Sequence, residues 1–239
     1  MRLIIASNNK NKIREIKEIL GDRFEEIVSM REAGIELDVK EDADSFIGNA
    51  RKKAEETAKL CPQDAVLADD SGLCVDALNG APGVYSARFA GEGHDDAANR
   101  AKLFAELRDV PAERRTAHFA CAMVLVRPGE PNIEVVGRVD GRILFEERGE
   151  NGFGYDNMFL YEPFGLSFAE IDAERKNGVS HRRRALELVL DALNRFSRRY
   201  RVKNKAKNKC LRGMRRTRGE RTKDESCSCQ RYTRLPVHA

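Results

Sequence analysis

The chain has 239 residues, 41% hydrophobic and 34% charged, enough for one large domain or two small ones around a sizeable core. No window approaches the roughly 18 apolar residues of a membrane-spanning helix, which argues against a membrane protein of that kind. The net charge of +4 conceals two unlike pieces: residues 198–239 carry 15 Lys and Arg against three Asp and Glu, net +12, leaving −8 for residues 1–197.

Met1-Arg-Leu-Ile-Ile-Ala6 is too short for a secretory signal and runs straight into a polar turn, pointing to a cytoplasmic protein. Residues 2–6 read as a buried strand, Ser7-Asn8-Asn9-Lys10-Asn11-Lys12 as a polar turn, and Ile13, Ile16, Ile19 and Leu20 as the apolar stripe of a helix. Strand, polar loop and helix start is the arrangement that offers backbone N–H groups and a positive dipole end to phosphate. Such loops are usually rich in glycine; here Asn8 and Asn9 are the residues best suited to left-handed backbone. A plain connection is the competing reading. The next helix spans about Ser45 to Leu60, with Phe46, Ala50, Ala54 and Ala58 four apart. Asn49 and Lys53 share another face, which by itself reads as a solvated polar surface.

The apolar run from Ala65 to Ala68 reads as a buried strand that delivers Asp69 and Asp70 into a Ser71-Gly72 turn. Successive strand residues point to opposite faces, so only one of the pair looks into a given cleft unless the strand has ended. Carboxylates are costly to bury unless paired or bound to a metal. A strand-end acidic pair therefore points to divalent-cation chemistry on an anionic substrate. The plain alternative is one Asp capping the turn and the other in water.

Further on, Leu78-Asn-Gly-Ala-Pro-Gly83 is a turn cluster, and a helix follows from about Asp95 to Leu107. Strands at His118–Val126 and Ile133–Val139 flank a hairpin loop, Arg127-Pro-Gly-Glu-Pro-Asn132. Gly152-Phe-Gly-Tyr-Asp156 is a glycine-aromatic loop, and a last helix runs from an N-cap at Ser180 to Phe196. Helices and strands mix without the regular alternation of a Rossmann fold, so the class is mixed α/β. Cys61, Cys74 and Cys121 read as small core hydrophobes. Cys227-Ser-Cys229 lacks the spacing and second pair of a zinc site. The folded domain is placed at residues 1–197, and 198–239 reads as a disordered basic tail.

Four separated motifs share one resemblance: Ala6-Ser-Asn-Asn-Lys-Asn-Lys12 with Glu15; Phe46-x-x-Asn49-Ala-x-x-Lys53-Ala54; Ala68-Asp-Asp-Ser-Gly-Leu73 with Gly80-Ala-Pro-Gly-Val-Tyr-Ser-Ala-Arg88; and Phe153-Gly-Tyr-Asp156 with Lys176-Asn-Gly-Val-Ser-His-Arg182. In this order, over about residues 2–196, the chain resembles the inosine triphosphate pyrophosphatase (Ham1-like, XTP/dITP diphosphatase) family. The resemblance implies an elongated two-lobed α/β fold with a central cleft, a homodimer, and Mg²⁺-dependent hydrolysis of noncanonical purine nucleoside triphosphates to monophosphate and pyrophosphate. Two positions depart from the family pattern: Ser7-Asn8-Asn9 stands for the usual Thr-Gly-Asn, and Asn157 for the proline after Phe-Gly-Tyr-Asp.

Carried over position by position, the resemblance implies that Lys12, Lys53, Lys176 and Arg182, with Asn9 and the first loop's amides, hold the polyphosphate. Ser7, Asn8, Lys10, Asn11, Asn49 and Ser71 join them in the substrate-binding set. Phe153 stacks on the purine, with Gly154, Tyr155, Asp156, Ser180, His181 and Arg182 around base and sugar. Glu41 and Asp70 hold Mg²⁺, and Asp70 orients the attacking water as general base. Asp69 is kept as a carboxylate either on the metal or behind the groups that hold it. Donors facing a 6-oxo group would be left unpaired against adenine, which rejects ATP. A competing reading from another class is a nucleic-acid-binding protein working through the tail, whose charge would hold polyanions without regard to sequence. The acidic body argues against it as the main function. The Ser-x-Ser-x-Arg-Arg start of the pyrimidine-directed Maf-type pyrophosphatases is absent.

Overall fold

Leu3, Ile4 and Ile5 are fully buried, as a strand covered on both faces must be. They form β1 (Arg2–Ile5), which lies parallel to β2 (Glu26–Ser29) on one side and to β3 (Ala65–Val75) on the other. Antiparallel strands β4 (Thr116–Arg127), β5 (Glu130–Ile143), β6 (Phe159–Tyr161) and β7 (Leu166–Ser167) extend the sheet beyond β3, giving the order β2-β1-β3-β4-β5-β6-β7. Helices α1 (Lys10–Leu20), α2 (Phe46–Leu60), α3 (Asp96–Glu106), α4 (Ala173–Val179) and α5 (residues 181–195) complete the mixed α/β architecture expected from the sequence. The structure is a computed structural model that describes residues 1–195, of which Met1–Leu193 form one compact unit. The boundary drawn at residue 197, the basic tail and its three cysteines lie outside the described residues. No helix among the described residues is long and apolar enough to cross a membrane.

The two-lobed character follows from the length of β3 and β4. One core gathers Ile4, Ala6, Met30, Ala50, Ala54, Val66, Ala68, Ala122 and Val124; the other gathers Leu73, Val75, Leu103, Ala117, Phe119, Val139, Phe159 and Phe168. β3 and β4, 11 and 12 residues long, feed both. Residues 69–72 fall between the two contributions of β3, so the acidic pair sits where the cores meet.

Several expectations need correction. β3 does not end at Ala68: Asp70 pairs with Ala122, Ser71 with Cys121 and Gly72 with Ala120, so there is no Ser-Gly turn. Gly72 is there for close approach, because a Cβ would stand 2.4 Å from Ser86 Oγ and 2.5 Å from the Gly83 carbonyl of the adjacent 3-10 turn Gly83–Arg88. The β4–β5 hairpin is tighter than read, with Arg127 opposite Glu130 and Gly129 in the left-handed region. Asn8 and Asn9 are not left-handed; among described non-glycine residues only Asn79 and His94 have positive φ. Asn9 is instead the extended N-cap of α1, its side chain accepting from the N–H groups of Asn11 and Lys12. The last helix does begin after Ser180, whose Oγ accepts from Arg183 N–H, but the unforeseen α4 precedes it and carries Lys176. Cys61 and Cys121 are buried, whereas Cys74 is half-buried.

Candidate active site

Because β3 continues, Asp69 and Asp70 point to opposite faces. Asp69 shares its side with Ser71, whose Oγ donates to it at 2.9 Å, and meets Lys12 Nζ at 3.0 Å and Arg182 Nη2 at 3.5 Å. Burial pushes this carboxyl up, but the Lys12, Arg182 and Lys53 cations outweigh burial and hold it well below the usual carboxylate range. Asp69 is thus a fixed anion beneath two cations. It does not line the cavity, which puts it behind the wall rather than on it.

Asp70 does line the cavity. Its Oδ2 accepts from Asn49 Nδ2 at 3.0 Å, its Oδ1 accepts from Ser71 N–H, and Lys53 Nζ lies 3.9 Å from Oδ1. Burial, reinforced by Glu41 and opposed by Lys53 and Lys12, pushes its carboxyl up to about 6. A carboxylate with that affinity for a proton suits a general base working near neutral pH. Asn49 is fully buried, so the reading of its helix face as solvated fails. Beyond holding Asp70, its Oδ1 accepts from Ala43 N–H and fastens the segment that carries Glu41. Glu41 Oε1 is 3.0 Å from Lys53 Nζ. Glu41 and Asp70 are hard oxygen donors on different segments, both within reach of one ammonium, and that donor set fits Mg²⁺.

The other cations also have acidic neighbours. Arg182 pairs with Glu15 through Nη1, and Lys176 Nζ lies 2.7 Å from Asp156 and 3.4 Å from Glu15. Lys12, Lys53, Lys176 and Arg182 are therefore held in place by carboxylates rather than waving in solvent. α5 can bring Arg182 and His181 this deep because Gly137 of β5 leaves room: a Cβ there would stand 2.3 Å from the His181 carbonyl and from Ala185 N.

On the aromatic side, Phe153 faces the cavity with Lys176 Nζ 5.0 Å from its ring centroid. Gly152 must lack a side chain, since a Cβ would stand 2.2 Å from Asp156 Oδ2; Asp156 accepts from Phe153 N–H and braces the loop. Asp96 accepts from Gly154 N–H while Arg100 donates to its carbonyl, so the first turns of α3 grip the same loop. Tyr155 is mainly a brace, its ring buried and its hydroxyl donating to the Ser86 carbonyl at 2.8 Å. His181 stacks on Phe119 with centroids 5.0 Å apart. Burial, and then Arg182, Lys176 and Lys12, drive its imidazole well below the ordinary value, so it is neutral at pH 7. Its Nδ1 and Arg182 Nε are buried polar atoms with no hydrogen-bond partner among the described residues, and both residues line the cavity.

Of the residues expected at the site, the cavity of about 450 Å³ brings together Ser7, Asn8, Asn9, Lys12, Glu41, Lys53, Asp70, Ser71, Phe153, Gly154, Tyr155, Asp156, Lys176, His181 and Arg182. Lys10 and Asn11 do not line it: they begin α1, and Lys10 is exposed on another surface. Asn49 stands behind the wall, acting through Asp70, and Ser180 is a buried helix cap. Asn9 spends its side chain on the α1 cap, which leaves that oxygen committed.

A family model of the Ham1 family matches residues 3–192. The chain belongs to the Ham1 family. It is 47% identical over 196 residues to a dITP/XTP pyrophosphatase of Desulforamulus reducens, covering 82% of this chain and 97% of that one. It is 50% identical over 189 residues to a protein of the same name from Leuconostoc mesenteroides, covering 78% and 94%. Among solved structures, the Staphylococcus aureus Ham1 protein superposes with a TM-score of 0.73 at 39% identity, over 81% of this chain and 98% of that one. The nucleoside-triphosphatase / dITP/XTP pyrophosphatase of Mycobacterium abscessus does so at 0.66 and 44%, over 80% and 99%.

Two residues of this Ham1-family site stood inside the quoted motifs without being assigned to it. Glu15 holds Arg182 and Lys176; its spacing of three from Lys12 put it on the same helix face, which was the available signal. Arg88 lines the cavity, donates to the Glu41 carbonyl at 2.9 Å and lies over the Tyr85 ring, with no carboxylate partner among the described residues. Nothing in its local sequence separates it from a surface arginine.

Proposed function

We propose that this chain hydrolyses noncanonical purine nucleoside triphosphates (ITP, dITP and XTP) to the monophosphate and pyrophosphate, with Mg²⁺, and so clears them from the nucleotide pool. The chain is a nucleoside-triphosphate pyrophosphatase, a hydrolase of acid anhydrides. The observation that carries the reading is Asp70, a cavity carboxylate pushed up to about 6, lining one cavity with Lys12, Lys53, Lys176 and Arg182. The names of relatives that align over nearly their whole length support the substrate class.

In this reading Lys12, Lys53, Lys176 and Arg88 bind the polyphosphate, and Asp70 takes the proton of the water that attacks the α-phosphorus. The bond from that phosphorus to the bridging oxygen breaks, and pyrophosphate leaves. Glu41 and Asp70 would hold Mg²⁺, which supplies charge neutralisation at the phosphate oxygens. Phe153 stacks on the purine. His181 Nδ1 and Arg182 Nε, lacking partners of their own, are the polar groups best placed to meet a 6-oxo base. Arginine can only donate, so adenine's amino group would leave the Arg182 donor unpaired.

The test is a nucleotide panel (ITP, dITP, XTP, GTP, ATP, CTP) with pyrophosphate release measured with and without Mg²⁺. Turnover confined to ITP, dITP and XTP in the presence of Mg²⁺ is expected; equal turnover of ATP would refute the purine assignment. A homodimer and a cytoplasmic location follow from the same reading, and light scattering of the purified chain checks the first.

A further inference from the structure

Lys53 differs from the other cations of the cavity in what it touches. Its ammonium lies 3.0 Å from Glu41 Oε1 and 3.9 Å from Asp70 Oδ1, and both carboxylates line the cavity. Lys12 is tied to an Asp69 that does not reach the cavity and that Arg182 also holds. Lys176 bridges two acids as well, but one of them, Glu15, is off the cavity wall and bound by Arg182. Lys53 alone among the four stands between two acids that are open to a ligand.

The surroundings fix the acids by bonds that do not depend on the lysine. Asn49, one helical turn before Lys53, donates to Asp70 and accepts from Ala43 N–H, so both acid-bearing segments are fastened to α2 independently of Lys53. Without a cation between them the two carboxylates would repel, since each disfavours the ionised form of the other. A lysine suits a place that must be vacated: it is a compact point charge on a flexible stem, without the fixed two-pronged geometry of arginine.

We propose that Lys53 is a resident counter-ion, holding in the nucleotide-free protein the place between Glu41 and Asp70 that a divalent cation occupies with substrate, and turning to the polyphosphate when displaced. The inference rests on the proposed triphosphate chemistry for its second half only. It means that metal alone binds weakly and that metal and nucleotide enter together, because the released ammonium needs a new anion.

The test uses Mn²⁺ and the nucleotide-free full chain, read by electron paramagnetic resonance or calorimetry. Lys53→Met is expected to bind Mn²⁺ at least tenfold more tightly than the parent, and Lys53→Arg, whose fork grips carboxylates, to bind it no more tightly than the parent. Unchanged or weaker binding by Lys53→Met overturns the proposal. Adding Glu41→Gln to Lys53→Met should abolish the gain; a gain that persists places the ion elsewhere and also overturns it. A second readout needs no variant: amine-reactive labelling of Lys53, followed by peptide mass spectrometry, should rise with Mn²⁺ alone at concentrations that calorimetry shows to saturate the parent, and fall again when a non-hydrolysable nucleotide is added. Labelling indifferent to Mn²⁺ refutes the exchange even if Lys53→Met does not fold. None of these measurements requires turnover. A protein that passed them yet left ITP intact would refute the proposed function and leave the counter-ion standing.

Discussion

Asp70→Asn separates catalysis from stability with opposite signs. In the folded protein the carboxyl holds its proton up to about pH 6, against roughly 3.9 in an unfolded chain. The folded state therefore binds the proton more tightly, and ionising Asp70 costs stability progressively as pH rises from about 4 through 6. The cost of the two-unit gap is about 3 kcal/mol by pH 8 and about 1.5 kcal/mol at pH 5. Asn removes that cost but brings one acceptor where the carboxylate had two, serving Asn49 Nδ2 and Ser71 N–H. The lost hydrogen bond costs about 1–2 kcal/mol. Urea unfolding in EDTA should thus find Asp70→Asn more stable than the parent at pH 8, by about 1–2 kcal/mol. Near pH 5 the two should be closely matched. Turnover of ITP should be at least about 10²-fold lower, because the proton acceptor is gone. A stability difference that does not move between pH 5 and pH 8 would refute the raised carboxyl, and near-normal turnover would refute its role.

Lys12→Ala takes one of two cations from the fully buried Asp69, leaving Arg182 and the Ser71 hydroxyl, so it should lose about 1.5–3 kcal/mol of stability as well as activity, measured by urea unfolding beside the ITP assay. Gly72→Ala forces a methyl against Ser86 and the Gly83 carbonyl and should cost about 1–3 kcal/mol, seen as a lowered thermal midpoint. Phe153→Ala should raise KM for ITP more than it lowers kcat, and a KM unchanged in steady-state assays would remove the stacking role. Ending the chain after Arg199 should leave ITP turnover within a few-fold, since the family match stops at residue 192. Loss of most activity would show that the basic segment belongs to the enzyme.

Periodicity and capping chemistry marked much of the fold in advance. α2 starts behind Ser45 and α3 behind Asp95 because those side chains satisfy amides that the helices cannot, a local effect readable from residue type. β1 and the first part of β3 were legible as apolar runs. The motifs in their order placed most of the site: Lys12, Lys53, Asp70, Phe153, Lys176 and Arg182 come from six separate elements or loops and meet in one cavity. What the sequence left open depends on neighbours distant along the chain. Asp69-Asp70-Ser71-Gly72 looked like a turn because its composition is that of turns; β4 supplies the ladder that keeps it extended, and the Gly83–Arg88 turn explains the glycine. Asn49 looked solvated because helical spacing gives a face but not what covers it; the covering group is Asp70, 21 residues away. Most of all, residue type alone made both aspartates equivalent. Only the continued strand, with Lys12 and Arg182 on one side and Asn49 and Lys53 on the other, makes Asp69 a buried structural anion and Asp70 the carboxylate that faces the cavity, because strand alternation sends neighbours into different surroundings.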